Sequence, residues 1–160
     1  MICGGITHWQ NWFRHPVYPV KLCSGFFYRS PADGWLAWGM FLATSNKTQR
    51  LLCMSYNQRV RVEELKRGRE DVKALLADLP PGFRLLVDLS QLETMDPDCM
   101  KEIGRTMEWI DKGGVEMVVR VMPDPGKDIG FNILAIFHYP RHPRIVTCKT
   151  MTEAAALLGL

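Results

Sequence analysis

Five aspartates follow predicted strands or precede predicted helices, where carboxylates can hold a metal ion. They are Asp88, Asp96, Asp98, Asp124 and Asp128. The carboxyl ends of parallel strands meet at one edge of an open sheet, and ligands commonly bind there. Grouped carboxylates at that edge could bind Mg²⁺ for phosphoryl transfer. Acids in these places also cap helices and complement helix dipoles, which fully explains Asp96 and Asp128, and we favour that interpretation.

A loop with glycine and lysine lies between two of these aspartates. Residues 123–130 read PDPGKDIG and lack the G-x-x-x-x-G-K-S/T spacing with which consecutive amides cradle a phosphate. Its prolines favour a stiff turn that leads into a helix, although an anion could bind at that helix N-terminus. The candidate edge for an anion or small ligand therefore consists of Asp88, Asp124, Lys127 and Asp128.

Other reactive side chains give no catalytic, metal or cofactor prediction. His138 and His142 are four residues apart, but Pro140 prevents the shared helical face that two metal ligands need. No Ser, Cys or Thr residue lies in a nucleophile motif such as G-x-S-x-G. The five cysteines are widely spaced without a C-x-x-C pair, which is typical of reduced, buried thiols in a cytoplasmic protein. We therefore expect neither an enzyme nor a bound metal or cofactor.

Composition and charge are those of an ordinary soluble domain. The 160 residues are 47% hydrophobic and 23% charged, which fits one domain of usual size. The formal net charge is +3, but acids and bases are interleaved, whereas a nucleic-acid binder gathers its cations on one face. The longest uncharged run, residues 34–46, is too short to span a bilayer, and the start does not resemble a secretory signal. We expect no nucleic-acid partner and no membrane span.

The first 39 residues differ in character from the rest. They hold four of the five tryptophans but only four charged side chains, without helical or strand periodicity. They could be an extra segment that packs its aromatics on the domain or a partner. The alternative, which we favour because caps and turns are missing, is an upstream extension of a gene that naturally starts at Met40 or Met54. We predict an irregular extension over residues 1–39 and one domain over residues 40–160.

From Met40 onward, hydrophobic patterning predicts alternating strands and helices. Strands are predicted over residues 41–44, 51–56, 83–89, 115–122 and 144–148. Helices are predicted over residues 63–79, over residues 97–112 before Gly113-Gly114, and over residues 128–137. A capping box at residues 150–153 predicts the start of a final helix. Asp96 is the predicted N-cap of the second helix, with Pro97 at its first position. The order implies right-handed crossovers and a mostly parallel sheet that begins with an antiparallel hairpin.

The predicted third helix is unusually apolar. Residues 129–137 read IGFNILAIF, whereas a surface helix of a small domain should be polar on one side. This helix is therefore either buried or partly covered by another chain, and we favour burial. Cover by another chain would make the protein an obligate dimer subunit.

The order of elements and the stretch LLVDLSQLETMD at residues 85–96 resemble a STAS domain, the fold of bacterial anti-sigma factor antagonists. In that family a central strand ends in Asp, and a second Asp follows shortly before the loop that opens a helix. The resemblance covers residues 40–160. It implies a STAS-like α/β domain in a bacterial, cytoplasmic signalling protein that binds another protein.

The chain departs from this family at the residue that a partner kinase phosphorylates. The antagonists have a Ser/Thr-Ser-Gly-like sequence after the second Asp, whereas this chain reads Met95-Asp96-Pro97-Asp98-Cys99. Asp96 matches the acid of the family, Asp98 takes the phosphoacceptor position, and Thr94 is a poor substitute. A carboxylate carries about one negative charge and a phosphoserine roughly −1.5 to −2. The resemblance thus implies a module that is either held in a phospho-like state or no longer switched in this way.

Together these observations predict a non-enzymatic, STAS-like regulatory or protein-binding module. Its partner is a regulatory protein or a second copy of the chain. The predicted partner-binding residues are Thr94, Asp96, Asp98, Cys99 and Met100. The alternative is a small-ligand or phosphoryl-handling protein that uses the acidic edge.

Overall fold

Strands and helices alternate along the described part of the chain. The computed structural model describes residues 40–160, except Pro125 and Lys127, together with the pair Lys21–Leu22. The strands are β1 (Lys21–Leu22), β2 (Met40–Asn46), β3 (Leu51–Val60), β4 (Phe83–Asp88), β5 (Leu92–Met95), β6 (Val115–Val121) and β7 (Arg144–Cys148). The helices are α1 (Val62–Ala77), α2 (Cys99–Lys112), α3 (Asp128–His138) and α4 (Met151–Leu158).

The strands form one mixed sheet in the order β1-β2-β3-β4-β6-β7, and β5 pairs with the last residues of β3. The pairs β1 with β2 and β2 with β3 are antiparallel. The remaining pairs are all parallel. The predicted fold class, a mostly parallel sheet that begins with an antiparallel hairpin and carries four helices, is confirmed.

Two hydrophobic cores lie on opposite faces of the sheet. The larger core contains side chains of α1, α2 and α3, and the smaller one contains side chains of α4. Strand β4 contributes to both, because Leu85 and Val87 face the larger core and Leu86 faces the smaller. The continuous apolar run of β4 is therefore explained by burial on both faces, as expected for a central parallel strand.

Helix α2 begins later than the sequence pattern predicts. Its N-cap is Asp98 rather than Asp96, because the Asp96 carbonyl accepts a hydrogen bond from Cys99 N (2.9 Å) and closes a turn before the helix. The prediction that Asp96 caps this helix is therefore wrong. Strand β5 was also missed, since two of its four side chains are exposed and it has no alternating apolar pattern.

Helix α3 is buried on one side only, which corrects the interpretation of a fully buried helix. Phe131 and Ala135 face the core, whereas the large apolar side chains on its other side are 52–74% exposed. These exposed side chains, the α3 outer face, are Ile129, Ile133, Ile136 and Phe137.

The predicted extension over residues 1–39 lies outside the described residues, apart from β1. There the backbone of Lys21 pairs with Ser45 and that of Leu22 with Thr44, along the free edge of β2. Among the described residues, no helix combines the length and the apolar character needed to cross a bilayer.

Candidate partner-binding site

A β-bulge near the end of β3 determines where the candidate site lies. Gln58 has φ of +53°, which is uncommon for a residue other than glycine, and the register with β5 shifts between Gln58 and Arg59. Beyond the bulge, Arg59 pairs with Thr94 and Val60 with Met95. The bulge thus lets β3 leave β4 and align with β5, so that the chain after β5 begins at the carboxyl edge of the sheet.

Asp96 is held in this position by contacts with β3. Its carboxylate Oδ1 accepts a hydrogen bond from Arg59 Nη2 at 3.2 Å, and its backbone N donates to Val60 O at 3.4 Å. The Arg59 and Asp96 side chains are 62% and 37% exposed, so water screens the ion pair and its contribution to stability is small. Its main effect is to orient the turn that leads into α2.

The turn presents Asp98 to solvent. Asp98 is exposed at the N-cap of α2, but its carboxylate makes no capping hydrogen bond. The positive end of the α2 dipole favours the negative charge there. Thr94 and Pro97 are also exposed, so the carboxylate lies on an open surface that another protein can reach.

Cys99 lies behind this surface rather than on it. It is fully buried, and its thiol donates to Val60 O at 3.6 Å. Burial raises the pKa of the thiol, and the negative charge of Asp96 raises it further. Cys99 can therefore support the α2 start from inside, but its side chain is not exposed on this surface. Met100 is half-buried and points toward a groove.

The groove is a feature that sequence reasoning missed. It has a volume of about 310 Å³ and lies between β5, the start of α2, the chain after β6 and the first turn of α3. Its lining includes Leu92, Glu93, Thr94, Met95, Met100, Met122, Pro123, Asp124, Gly130 and Phe131. Only Thr94, Met100 and Asp124 among these were candidates, because the others belong to three separate segments that only the fold brings together.

The acids of the predicted ligand edge have partners within the protein. Asp88 is buried and accepts a hydrogen bond from Ser90 N at 2.9 Å. Asp124 is exposed and accepts one from Gly126 N at 3.0 Å. Lys127 lies outside the described residues. No group of three potential metal-binding side chains occurs among the described residues.

Asp128 is a buried ionic residue rather than a helix cap, which corrects our interpretation. Its Oδ1 lies 3.0 Å from Arg120 Nη1. Its Oδ2 accepts hydrogen bonds from Asn132 Nδ2 (3.1 Å) and Thr147 Oγ1 (2.8 Å). Sequence reasoning missed this network, although an arginine within the apolar strand β6 is a signal that a buried acid must pair with it.

The fold resembles several solved structures. An uncharacterized DUF3478 protein from Shewanella loihica, described as SpoIIAA-like, has TM-score 0.58 and 11% identity over 79% of this chain and 98% of that one. The anti-sigma factor antagonist SpoIIAA in its unphosphorylated form has TM-score 0.52 and 14% identity over 75% and 98%. An anti-sigma factor antagonist from Mycobacterium paratuberculosis has TM-score 0.50 and 20% identity over 77% and 96%.

These likenesses establish the class of fold. The mixed sheet with its four helices is a SpoIIAA-like α/β fold, and this is the STAS-like fold that the sequence predicted. The sequence itself matches no protein-family profile and no curated protein.

Proposed function

We propose that this protein is a non-enzymatic regulatory module of a bacterial cytoplasm that binds another protein through the Asp98 surface. This surface consists of Thr94, Asp96, Asp98 and Met100. The observation that carries the proposal is the exposed Asp98 carboxylate, which the β3 bulge, β5 and the Asp96 turn hold at the start of α2. The SpoIIAA-like fold supports a binding role, because two of the similar structures are anti-sigma factor antagonists.

The charge of Asp98 distinguishes this surface from a phosphorylation switch. A carboxylate supplies about one negative charge without a kinase, which is less than the charge of a phosphoserine. A partner that binds here therefore meets the same charge at all times. We propose a constitutive binding module whose regulation depends on the supply of the protein or its partner.

The contacts of the acidic edge favour this proposal over a ligand-handling protein. Asp88 and Asp128 are both buried and engaged within the fold, so neither carboxylate is free to meet a substrate. Asp124 remains exposed. We expect background rates with phosphatase, esterase and nucleotidase substrates, and turnover that Asp124→Asn abolishes would favour the alternative instead.

Substitutions at Asp98 test the proposal. A partner is captured from the host with the wild type, and its affinity is measured by calorimetry for the wild type, Asp98→Ala and Asp98→Ser. If the carboxylate is desolvated on binding, its removal should change the affinity by roughly tenfold or more. The matched control is Glu116→Ala, which removes an exposed acid near the start of β6, at the opposite edge of the sheet.

The stability of these variants is the second measurement. Asp98 makes no capping hydrogen bond, so Asp98→Ala should lower the free energy of unfolding by roughly 0.3–1 kcal/mol, the usual value of a helix-dipole interaction. Equal partner affinities in all four proteins, with intact folds, would show that the partner binds elsewhere.

A further inference from the structure

The groove beside the Asp98 surface has an open strand edge along one side. All four residues of β5 line it, although side chains of successive strand residues point to opposite faces. The groove is therefore lined by the edge of the strand rather than by a single face of it. Strand β5 pairs with β3 on its other side, and within the described residues it has no second strand partner.

The opposite wall is the chain that follows β6. Met122, Pro123 and Asp124 follow β6 consecutively and line the groove together. Strand β6 pairs with β4, and β5 lies beyond the carboxyl end of β4. The sheet therefore has a gap between β5 and the chain that follows β6. An unpaired strand edge presents N–H and C=O groups that a further strand can use.

The floor of the groove is apolar and adaptable. It contains Met95, Met100, Met122 and Phe131, and methionine side chains adjust their shape to fill irregular spaces. The volume of about 310 Å³ is at the lower limit of ordinary ligand pockets, which span roughly 300–1,000 Å³. The groove therefore suits one or two large apolar side chains of a peptide.

The rim of the groove is acidic on a chain whose formal net charge is +3. Glu93 and Asp124 line the groove and are exposed, and the exposed Asp98 lies two residues before Met100 of the lining. The nearby Arg59 is already paired with Asp96. Lys101, three residues after Asp98, is exposed, and Lys127, three residues after Asp124, lies outside the described residues. Among the described residues, carboxylates thus predominate around the apolar floor, so the electrostatic complement is a basic peptide.

We propose that the groove binds an extended segment of a partner protein, in which apolar and basic residues alternate, as an added strand beside β5. Backbone hydrogen bonds to the β5 edge give affinity, and the alternation gives specificity, as in other cases of strand addition. Apolar side chains enter the methionine floor and basic ones meet the rim. The inference rests on the proposed function, since it names the chemistry of the partner at the Asp98 surface.

Gly130 offers a variant that fills the groove without disturbing the core. A Cβ atom there would lie 3.7 Å from Met100 Cε, an ordinary contact, and leucine favours a helix more than glycine does. Gly130→Leu should therefore fold at least as well as the wild type while blocking the apolar floor. The matched control is Ile136→Ala, on the α3 outer face.

The experiment uses the full chain with isotope-labelled methionine methyl groups and a six-residue peptide of alternating lysine and valine. Titration should shift the signals of Met95, Met100 and Met122. A peptide that is N-methylated on alternate residues cannot form the strand ladder and should bind at least tenfold more weakly, as should Gly130→Leu with the unmodified peptide. Ile136→Ala should bind like the wild type, and a glutamate-for-lysine peptide should not bind.

The outcomes separate this inference from the proposed function. Equal binding of the N-methylated peptide, unchanged binding by Gly130→Leu, or shifts confined to Met107 and Met151 would overturn strand addition in the groove. A captured partner whose affinity depends on Asp98 but not on Gly130→Leu would overturn the groove proposal alone. A partner that is insensitive to both sites would overturn the proposed function as well.

Discussion

Arg120 of β6 and Asp128 of α3 form a buried ion pair that attaches α3 to the sheet. Their side chains are 4% and 9% exposed, and Arg120 Nη1 lies 3.0 Å from Asp128 Oδ1, an ion-pair distance without hydrogen-bond alignment. Burial lowers the pKa of the Arg120 guanidinium, and the charge of Asp128 opposes that effect. Since the outer face of α3 contributes little burial, this polar contact is a main attachment of the helix.

Removal of one partner should therefore be costly. Asp128→Ala leaves the Arg120 charge buried without its counter-ion, and we expect a loss of about 3–5 kcal/mol in the free energy of unfolding. Urea unfolding provides the measurement, with the exposed Asp124→Ala as a control that should stay within about 0.5 kcal/mol. The double variant Arg120→Met/Asp128→Leu should recover much of the loss. A single-variant cost below about 1 kcal/mol would show that the pair is not buried in solution.

Two helical glycines should respond in opposite directions to the same substitution. A Cβ atom at Gly104 of α2 would lie 2.5 Å from His138 Nε2, and the histidine ring cannot simply turn away because its Nδ1 contacts Glu108 at 3.0 Å. Gly104→Ala should therefore cost about 1–3 kcal/mol through overpacking. Gly130→Ala meets only an ordinary contact and should gain about 0.5–1 kcal/mol from helix propensity. Thermal melts of both variants would test the close approach of α2 and α3.

Hydrophobic patterns in the sequence predicted the helices that bury one face and the strands that bury both faces. The apolar stripe at Leu65, Val72 and Leu75 of α1 faces the core, and the apolar run of β4 is central in the sheet. Periodicity reports such faces directly. The sequence therefore allowed the fold class and the STAS resemblance to be predicted.

The remaining features depend on contacts between distant segments. Strand β5 has exposed side chains at Glu93 and Thr94, and what makes it a strand is the bulge at Gln58 in β3. The role of Asp128 depends on Arg120, eight positions earlier and on another element. The candidate surface at Asp98 was predicted from the family resemblance, but the groove beside it was not, because no single segment contains its lining.

The stability of the protein should fall with rising pH in a way that depends on Cys53. Burial raises the pKa of this half-buried thiol from its ordinary 9.0 to about 12, and a hydrogen bond with Thr44 offsets only part of the effect. Above pH 9.0 the unfolded chain releases this proton while the folded protein retains it, so unfolding becomes more favourable as the pH approaches about 12. The contribution is at most about 1.4 kcal/mol per pH unit.

Cys53→Ala should show a shallower decline of the free energy of unfolding between about pH 9 and pH 11. The difference between the two proteins isolates Cys53, because Tyr56 and Tyr139, whose pKa values burial also raises, are common to both. Parallel curves for the two proteins would show that the thiol is accessible to water.

Deletion of residues 1–39 should leave a cooperative thermal transition within a few degrees of that of the full chain. Within the described residues, the contact of this segment with the domain is the short pairing of β1 with Ser45 and Thr44. Chain ends that make few contacts with the domain contribute little to its stability. Calorimetry of both proteins provides the measurement. Loss of the transition would show that the tryptophans of the segment belong to the core.

The α3 outer face should tolerate charge. Ile136 is 69% exposed and Phe137 is 74% exposed, so Ile136→Lys and Phe137→Lys should each change the free energy of unfolding by no more than about 0.5 kcal/mol. Phe131→Ala on the buried side of the same helix is the control, and it should cost about 3–5 kcal/mol. Exposed apolar faces promote association, so the double lysine variant should also show a lower apparent mass by light scattering at high concentration. A large loss of stability in Ile136→Lys would instead mean that another part of the full chain, or a second copy, covers this face.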